Sequence, residues 1–234
     1  MALPGKPSSH GKYIKSIIYG GLDGVITTFA VVAGVAGASL SAGIVLILGF
    51  ANLIGDGISM SVGDYLSSKS QKEYEQAQRK YEASLLAENR SKATREIEKF
   101  YRRKGFGAGE ARRIASLIAV DTKAAVDVLM AEKHGVVESV ISPTKNALYT
   151  FASFVVFGFL PLLTYVANML VPGIFDDAFA AATLLTAATL FALGAMKVFI
   201  TSRSWLASGI EMLIVGGVAA ASAYAIGYWL ASVV

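Results

Sequence analysis

Cysteine is absent from this 234-residue chain, and histidine occurs twice. Without cysteine there are no disulfides and no thiolate metal ligands. A metal handled by this protein must meet carboxylate, thioether, imidazole, carbonyl or water. Charge is also scarce, with 16% of residues charged against roughly 25% in a soluble domain. Walker loops, dinucleotide fingerprints and nucleophile–histidine constellations are missing too, which argues against an enzyme. The net charge of +4 and pI of about 9.2 superficially suit a nucleic-acid binder. The basic residues, however, flank apolar runs or lie in one polar insert, where they set membrane orientation and meet anionic lipid. Nucleic acid is therefore not an expected partner.

What the chain has is apolar length. It is 54% hydrophobic, with a mean hydropathy of +0.55. Most charges gather between Lys69 and Glu138, and on both sides apolar runs reach the roughly 20 residues that cross a bilayer. The predicted fold is all-α: a polytopic membrane protein with five transmembrane helices and a cytoplasmic helical insert between spans 2 and 3. The predicted organisation is a cytoplasmic tail at 1–15, spans 1 and 2 within 16–65, the insert at 66–143 and spans 3 to 5 within 144–234. The individual spans are read at about 16–38, 42–64, 147–170, 178–200 and 205–233, with Pro161 as a kink in the third. The tail carries Lys6, Lys12 and Lys15 but no small-residue cleavage site, so it reads as uncleaved. Tail, insert and the 197–203 turn bear Lys or Arg, whereas the turns at 39–41 and 171–177 have none. Basic residues mark the cytoplasmic side, which predicts the N-terminus and insert inside and the C-terminus outside.

One stretch of the second span breaks its apolar pattern. Asn52, Asp56, Met60 and Asp64 recur every four residues, so on a helix they form a single polar stripe. An intramembrane carboxylate is costly and faces a bundle interior or a watery path. The thioether is a soft ligand, unlike the donors of Mg²⁺ or Ca²⁺ sites. This pattern points to a transition-metal path. In the first span, Asp23 lies about two helical turns past Lys15. Gly20 and Gly24 form a GxxxG pair that Gly34 and Gly37 extend, a surface for close helix packing. Spans 1 and 2 are joined by a tight turn, so Asp23 is expected to approach Asp56 and Met60. Asp56 reads either as a path residue or as a hydrogen-bonding group within the bundle, and Asp64 as an entrance ligand or a solvated residue. Glu211 is expected to pair with Lys197 or Arg203.

Beyond Tyr65 no stop signal appears, so the second span is expected to continue as a stalk. Further helices are predicted at 91–104, 109–118 and 122–134, with Gly105 and Gly135 as stops. Glu75 with Arg79 and Glu88 with Lys92 have the i,i+4 spacing of solvated ion pairs. Glu82 has Leu86 at that spacing instead, which makes it the better ligand candidate. His134 reads as a helix C-terminal cap and His10 as having no role.

Several segments together resemble the vacuolar iron transporter family. They are Asp-Gly-Val-Ile-Thr-Thr-Phe-Ala-Val-Val-Ala-Gly from Asp23, Asp-Gly-Ile-Ser-Met-Ser-Val-Gly-Asp-Tyr-Leu-Ser-Ser-Lys-Ser from Asp56, and Glu-Ile-Glu-Lys-Phe-Tyr-Arg-Arg-Lys-Gly-Phe from Glu96. The Phe-Gly-Phe-Leu-Pro-Leu-Leu of the third span and the Ser-Gly-Ile-Glu-Met-Leu of the fifth agree as well. The resemblance runs from about residue 13 to the end and looks closer to prokaryotic members than to vacuolar ones. It implies a homodimer of five-span chains that exports Fe²⁺, and also Mn²⁺, Co²⁺, Ni²⁺ or Zn²⁺, from the cytoplasm in exchange for protons, with no resident cofactor. It further implies that Asp23 and Met60 line the path, and that Glu82, Glu96 and Met130 collect metal in the insert. Lys133 stands where the family has a glutamate, although Glu132 is adjacent, and Leu85, Ala93 and Leu129 stand at other ligand positions. The candidate metal residues are thus Asp23, Asp56, Met60, Asp64, Glu82, Glu96, Met130 and Glu132. The expected location is the cell (inner) membrane, or alternatively the vacuolar membrane. Two other readings fit the same residues: a proton-coupled transporter of another cation or solute, and a non-transporting membrane scaffold.

Overall fold

A computed structural model of the chain describes residues 13–136, 141–199 and 204–233. The predicted tail up to Lys12, with His10, together with Glu138 and Arg203, lies outside them. The described residues form eight α-helices: α1 (Ile14–Gly37), α2 (Ala42–Glu88), α3 (Arg90–Arg103), α4 (Ala108–Ile118), α5 (Thr122–His134), α6 (Pro143–Leu170), α7 (Ala178–Met196) and α8 (Trp205–Ala231). Five of these, α1, α2, α6, α7 and α8, are long and apolar enough to cross a membrane. The chain divides into two compact units, Met1–Leu66 with Ile141–Val234, and Ser67–Val140.

In the first unit α1 is the helix on which the others pack, lying against α6, α7 and α8. Its glycines explain how. A Cβ on Gly24 would lie 2.4 Å from the backbone oxygen of Phe154, and one on Gly20 2.6 Å from that of Thr150. A Cβ on Gly37 would lie 2.2 Å from the oxygen of Tyr224, and one on Gly227 2.0 Å from that of Gly34. The small surface predicted for one neighbour therefore serves two, with Gly20 and Gly24 on α6 and Gly34 and Gly37 on α8. Such approach raises the dispersion contact between backbones, the main attraction available between helices in lipid. Around it, Phe29, Val32 and Val35 of α1 meet Val45 and Leu53 of α2, Phe154, Leu162 and Tyr165 of α6, and Ala182 of α7.

The ends of these helices follow local chemistry. After α1 the chain turns with Ser39 at φ 56. Leu40 N–H bonds the Val35 carbonyl and Ser39 N–H that of Ala36, a Schellman closure in which serine takes the left-handed position usually given to glycine. The following helix α2 runs unbroken for 47 residues, as the lack of a stop signal after Tyr65 predicts. Helix α6 starts at Pro143, four residues before the predicted span, because proline at the first helical position loses no intrahelical bond. It continues through Pro161 as a helix. The Asp177 carboxylate caps α7 by accepting from the N–H groups of Phe179 and Ala180. At its other end α7 stops at Met196 in a short 3-10 turn, Lys197–Phe199, earlier than the predicted residue 200.

The second unit has its own core. Ala93, Ile97 and Phe100 recur at helical spacing along α3 and pack with Leu86, Ala115, Ala125 and Leu129. Asn89 caps α3 by accepting from Lys92 N–H, and Asp121 caps α5 by accepting from Ala124 N–H. Gly135, at φ 65, closes α5, in the conformation that glycine adopts without steric cost.

Candidate functional site

Asp23 stands midway along α1, half-buried, on the turn before Thr27, whose hydroxyl donates to the Asp23 backbone oxygen. The Asp23 carboxylate lies within electrostatic reach of that of Asp56. Met60, one helical turn beyond Asp56, is half-buried and packs against the apolar core of the first unit. One turn the other way, Asn52 Nδ2 is buried with no hydrogen-bond partner among the described residues, and Thr28 Oγ1 on α1 is in the same position. Unpaired buried polar atoms are costly and call for an explanation, such as water or an ion. Asp56 itself is exposed on this chain.

Asp64 is neither freely solvated nor open-handed. Asn146 Nδ2 donates to its Oδ1 at 2.7 Å and Thr150 Oγ1 to its Oδ2 at 2.5 Å. Ser16 Oγ in turn donates to Asn146 Oδ1 at 2.5 Å, so one partly buried network ties α1, α2 and α6. Sequence reasoning missed Ser16, Asn146 and Thr150; the available signal was the spacing of Asn146, Thr150 and Ser153 on an otherwise apolar helix. Charge-assisted bonds of this kind contribute about 1–2 kcal/mol each. Asn146→Leu and Thr150→Val are each expected to lower thermal stability in detergent by that order. Their double substitution should cost less than the sum, because both act on one carboxylate. Full additivity would show that Asp64 does not couple them.

In the second unit the candidate residues are dispersed. Glu82 is 1% exposed. Its Oε1 accepts from Lys133 Nζ at 2.9 Å and lies 2.8 Å from His134 Nε2. Burial works against its ionised form, but the hydrogen bonds and charges of His134 and Lys133 outweigh it and hold the carboxyl below the usual range. The bond to Glu82 correspondingly raises Lys133, against the opposing effect of burial. Glu96 reaches the same ammonium at 3.9 Å. Glu132 pairs instead with Lys104, and Met130 is fully buried. His134, read from sequence as a cap, faces Glu82, and Arg79 pairs with Asp127. Among the described residues no group of three or more His, Asp or Glu side chains is arranged to hold a metal ion. In the fifth span Glu211 lies 3.9 Å from Lys197, the pairing expected.

Residues 14–228 match the sequence model of the VIT family. The chain belongs to the VIT family. Among its relatives, a protein of Toxoplasma gondii named vacuolar iron transporter is 34% identical over 95% of this chain and 76% of its own length. A Plasmodium falciparum protein of the same name is 32% identical over 88% of this chain and 78% of its own length. The vacuolar iron transporter 1 of Arabidopsis thaliana is 29% identical over 92% and 84%. Membership agrees with the motifs around Asp23, Asp56 and Glu96, and together with the five apolar helices it makes this VIT-family chain an integral membrane protein. Asp23, Asp56, Met60, Asp64, Glu82, Glu96, Met130 and Glu132 all fall within the matched residues.

Proposed function

We propose that this protein carries divalent transition metals, Fe²⁺ foremost, across a membrane by exchange with protons, from the cytoplasm to the far side. The observation that carries this is the pair of carboxylates, Asp23 and Asp56, set against each other in apolar spans with the Met60 thioether one turn away. Intramembrane carboxylates mark ion paths, and a mixed oxygen and sulfur donor set favours transition metals over Mg²⁺ or Ca²⁺. The relatives named vacuolar iron transporter agree with iron as cargo. Two carboxylates that repel are stabilised together by a divalent cation or separately by protons, so metal and protons compete for the same groups.

The working unit in this reading is a homodimer. Asp56 is exposed beside Gly55 and Ser59 on α2, and a carboxylate turned to lipid is costly. A second copy laid against this face covers it, and small residues permit close approach. Alternating access then exposes Asp23, Asp56 and Met60 first to one side and then to the other, with Asp64 held at the cytoplasmic end by Asn146 and Thr150. The Lys/Arg distribution supports the N-terminal tail (1–15) and the insert (66–143) on the cytoplasmic side.

The test is uptake into proteoliposomes of Fe²⁺ under reducing conditions, with Mn²⁺, Co²⁺ and Zn²⁺ in parallel. Losing even an outer-shell partner of a metal ligand costs 10–100-fold, so Met60→Leu is expected to lower Fe²⁺ uptake by at least about tenfold. Equal uptake by both proteins would remove Met60 from the path. If no metal moves through the parent protein, the stripe serves another solute or none.

A further inference from the structure

We propose that Lys133 is a tethered cation seated between Glu82 and Glu96, so that the insert of this chain is closed to divalent metal and opens to it only when the ammonium is removed. The three side chains come from three helices: Glu82 on α2, Glu96 on α3, Lys133 on α5. Lys133 Nζ lies 2.9 Å from Glu82 and 3.9 Å from Glu96, so one positive group bridges two carboxylates, as a bound metal ion does. His134 Nε2 takes the same Glu82 oxygen at 2.8 Å, leaving that oxygen no lone pair turned to an incoming ion. A carboxylate as buried as Glu82 requires a compensating charge, and Lys133 supplies it from within the chain.

The adjoining cavity of about 410 Å³ is walled partly by Leu85, Ala93 and Leu129, and its further carboxylate, Glu88, shares it with a second ammonium, Lys92. Two carboxylates beside one ammonium and an imidazole leave at most a single net negative charge, so a divalent ion entering beside Lys133 would overshoot neutrality and repel the ammonium. With Lys133 replaced by glutamate, three carboxylates and an imidazole converge, which is a donor set for Zn²⁺. The residues present in the parent chain therefore do not fit a metal in the insert, in contrast to what the family resemblance implies for Glu82, Glu96, Met130 and Glu132.

The experiment counts Zn²⁺ bound to the full-length detergent-solubilised protein by equilibrium dialysis, so sites in the membrane spans cancel between parent and variants. Lys133→Glu is expected to bind one more Zn²⁺ per chain than the parent and to melt at a higher temperature when Zn²⁺ is present. The extra ion should disappear in the double variant Lys133→Glu/Glu82→Gln. Lys133→Gln, which removes the ammonium without adding a carboxylate, serves if the glutamate variant folds poorly: it should gain a weaker Zn²⁺ site that the parent lacks. The proposal is overturned if the parent itself loses a bound Zn²⁺ on Glu82→Gln, since the seat would then already hold metal. It is equally overturned if Lys133→Glu and Lys133→Gln fold but bind no additional ion. These results concern the insert alone and leave the transport assay to judge the path through the spans.

Discussion

Asp23→Asn is expected to abolish metal transport while the protein still folds. The substitution keeps the size of the side chain and removes its charge, so what it tests is ligation and proton exchange rather than packing. The Thr27 bond to the Asp23 backbone oxygen does not involve the carboxylate and survives the substitution. Replacing one of two mutually repelling carboxylates relieves repulsion, so the melting temperature should hold or rise slightly. A neutral amide is a poor metal ligand and does not gain or lose a proton near neutral pH. The expected loss in uptake is at least about 100-fold, the upper range for disturbing even an outer-shell group. A protein that elutes as a single species, melts normally and transports nothing supports the path. Near-parental uptake would mean that the ion passes elsewhere.

The second large effect lies in the packing of α1 on α6. Gly24→Val is expected to prevent accumulation of folded protein. A Cβ there would sit 2.4 Å from the Phe154 backbone oxygen, and Gly158 faces back with its own Cβ position 2.8 Å from the Gly24 oxygen. Backbone stands against backbone, so no flexible side chain can yield, and the two helices must separate. Overpacking costs about 1–3 kcal/mol where neighbours adjust; here the cost should exceed that. Gly217→Ala makes the contrast, because nothing lies within 4 Å of its Cβ position. It is expected to be neutral or to gain up to about 1 kcal/mol of helix propensity. Equal melting temperatures for the two variants would show that the close approach of α1 and α6 is not what holds the bundle.

Local signals were legible in the sequence. Apolar length marks the five helices long enough to cross a membrane, Gly105, Gly135 and Pro143 fall at helix boundaries, and the absence of a stop after Tyr65 foretells the long α2. The electrostatic interaction of Asp23 with Asp56 agrees with the tight turn between their helices. What was not readable depends on helices distant along the chain. Glu82 lacks a basic residue one turn ahead and so looked free, yet its partners arrive from α5, 51 and 52 residues later. Asp64 looked like an entrance ligand or a solvated group, yet its donors come from α6, 82 and 86 residues away. Gly34 and Gly37 looked like one surface with Gly20 and Gly24, but helical rotation along α1 turns them towards α8. Spacing within one helix fixes a face; which neighbour covers that face is settled by the whole bundle.

The most direct measurement of the central claim is Fe²⁺ uptake into proteoliposomes carrying an imposed pH gradient, with lumenal pH recorded alongside. Uptake should require an acidic lumen, alkalinise it as metal enters, and vanish with Asp23→Asn. Uptake that ignores the gradient and leaves lumenal pH unchanged would contradict proton exchange, and no uptake at any gradient would contradict a metal path through Asp23, Asp56 and Met60.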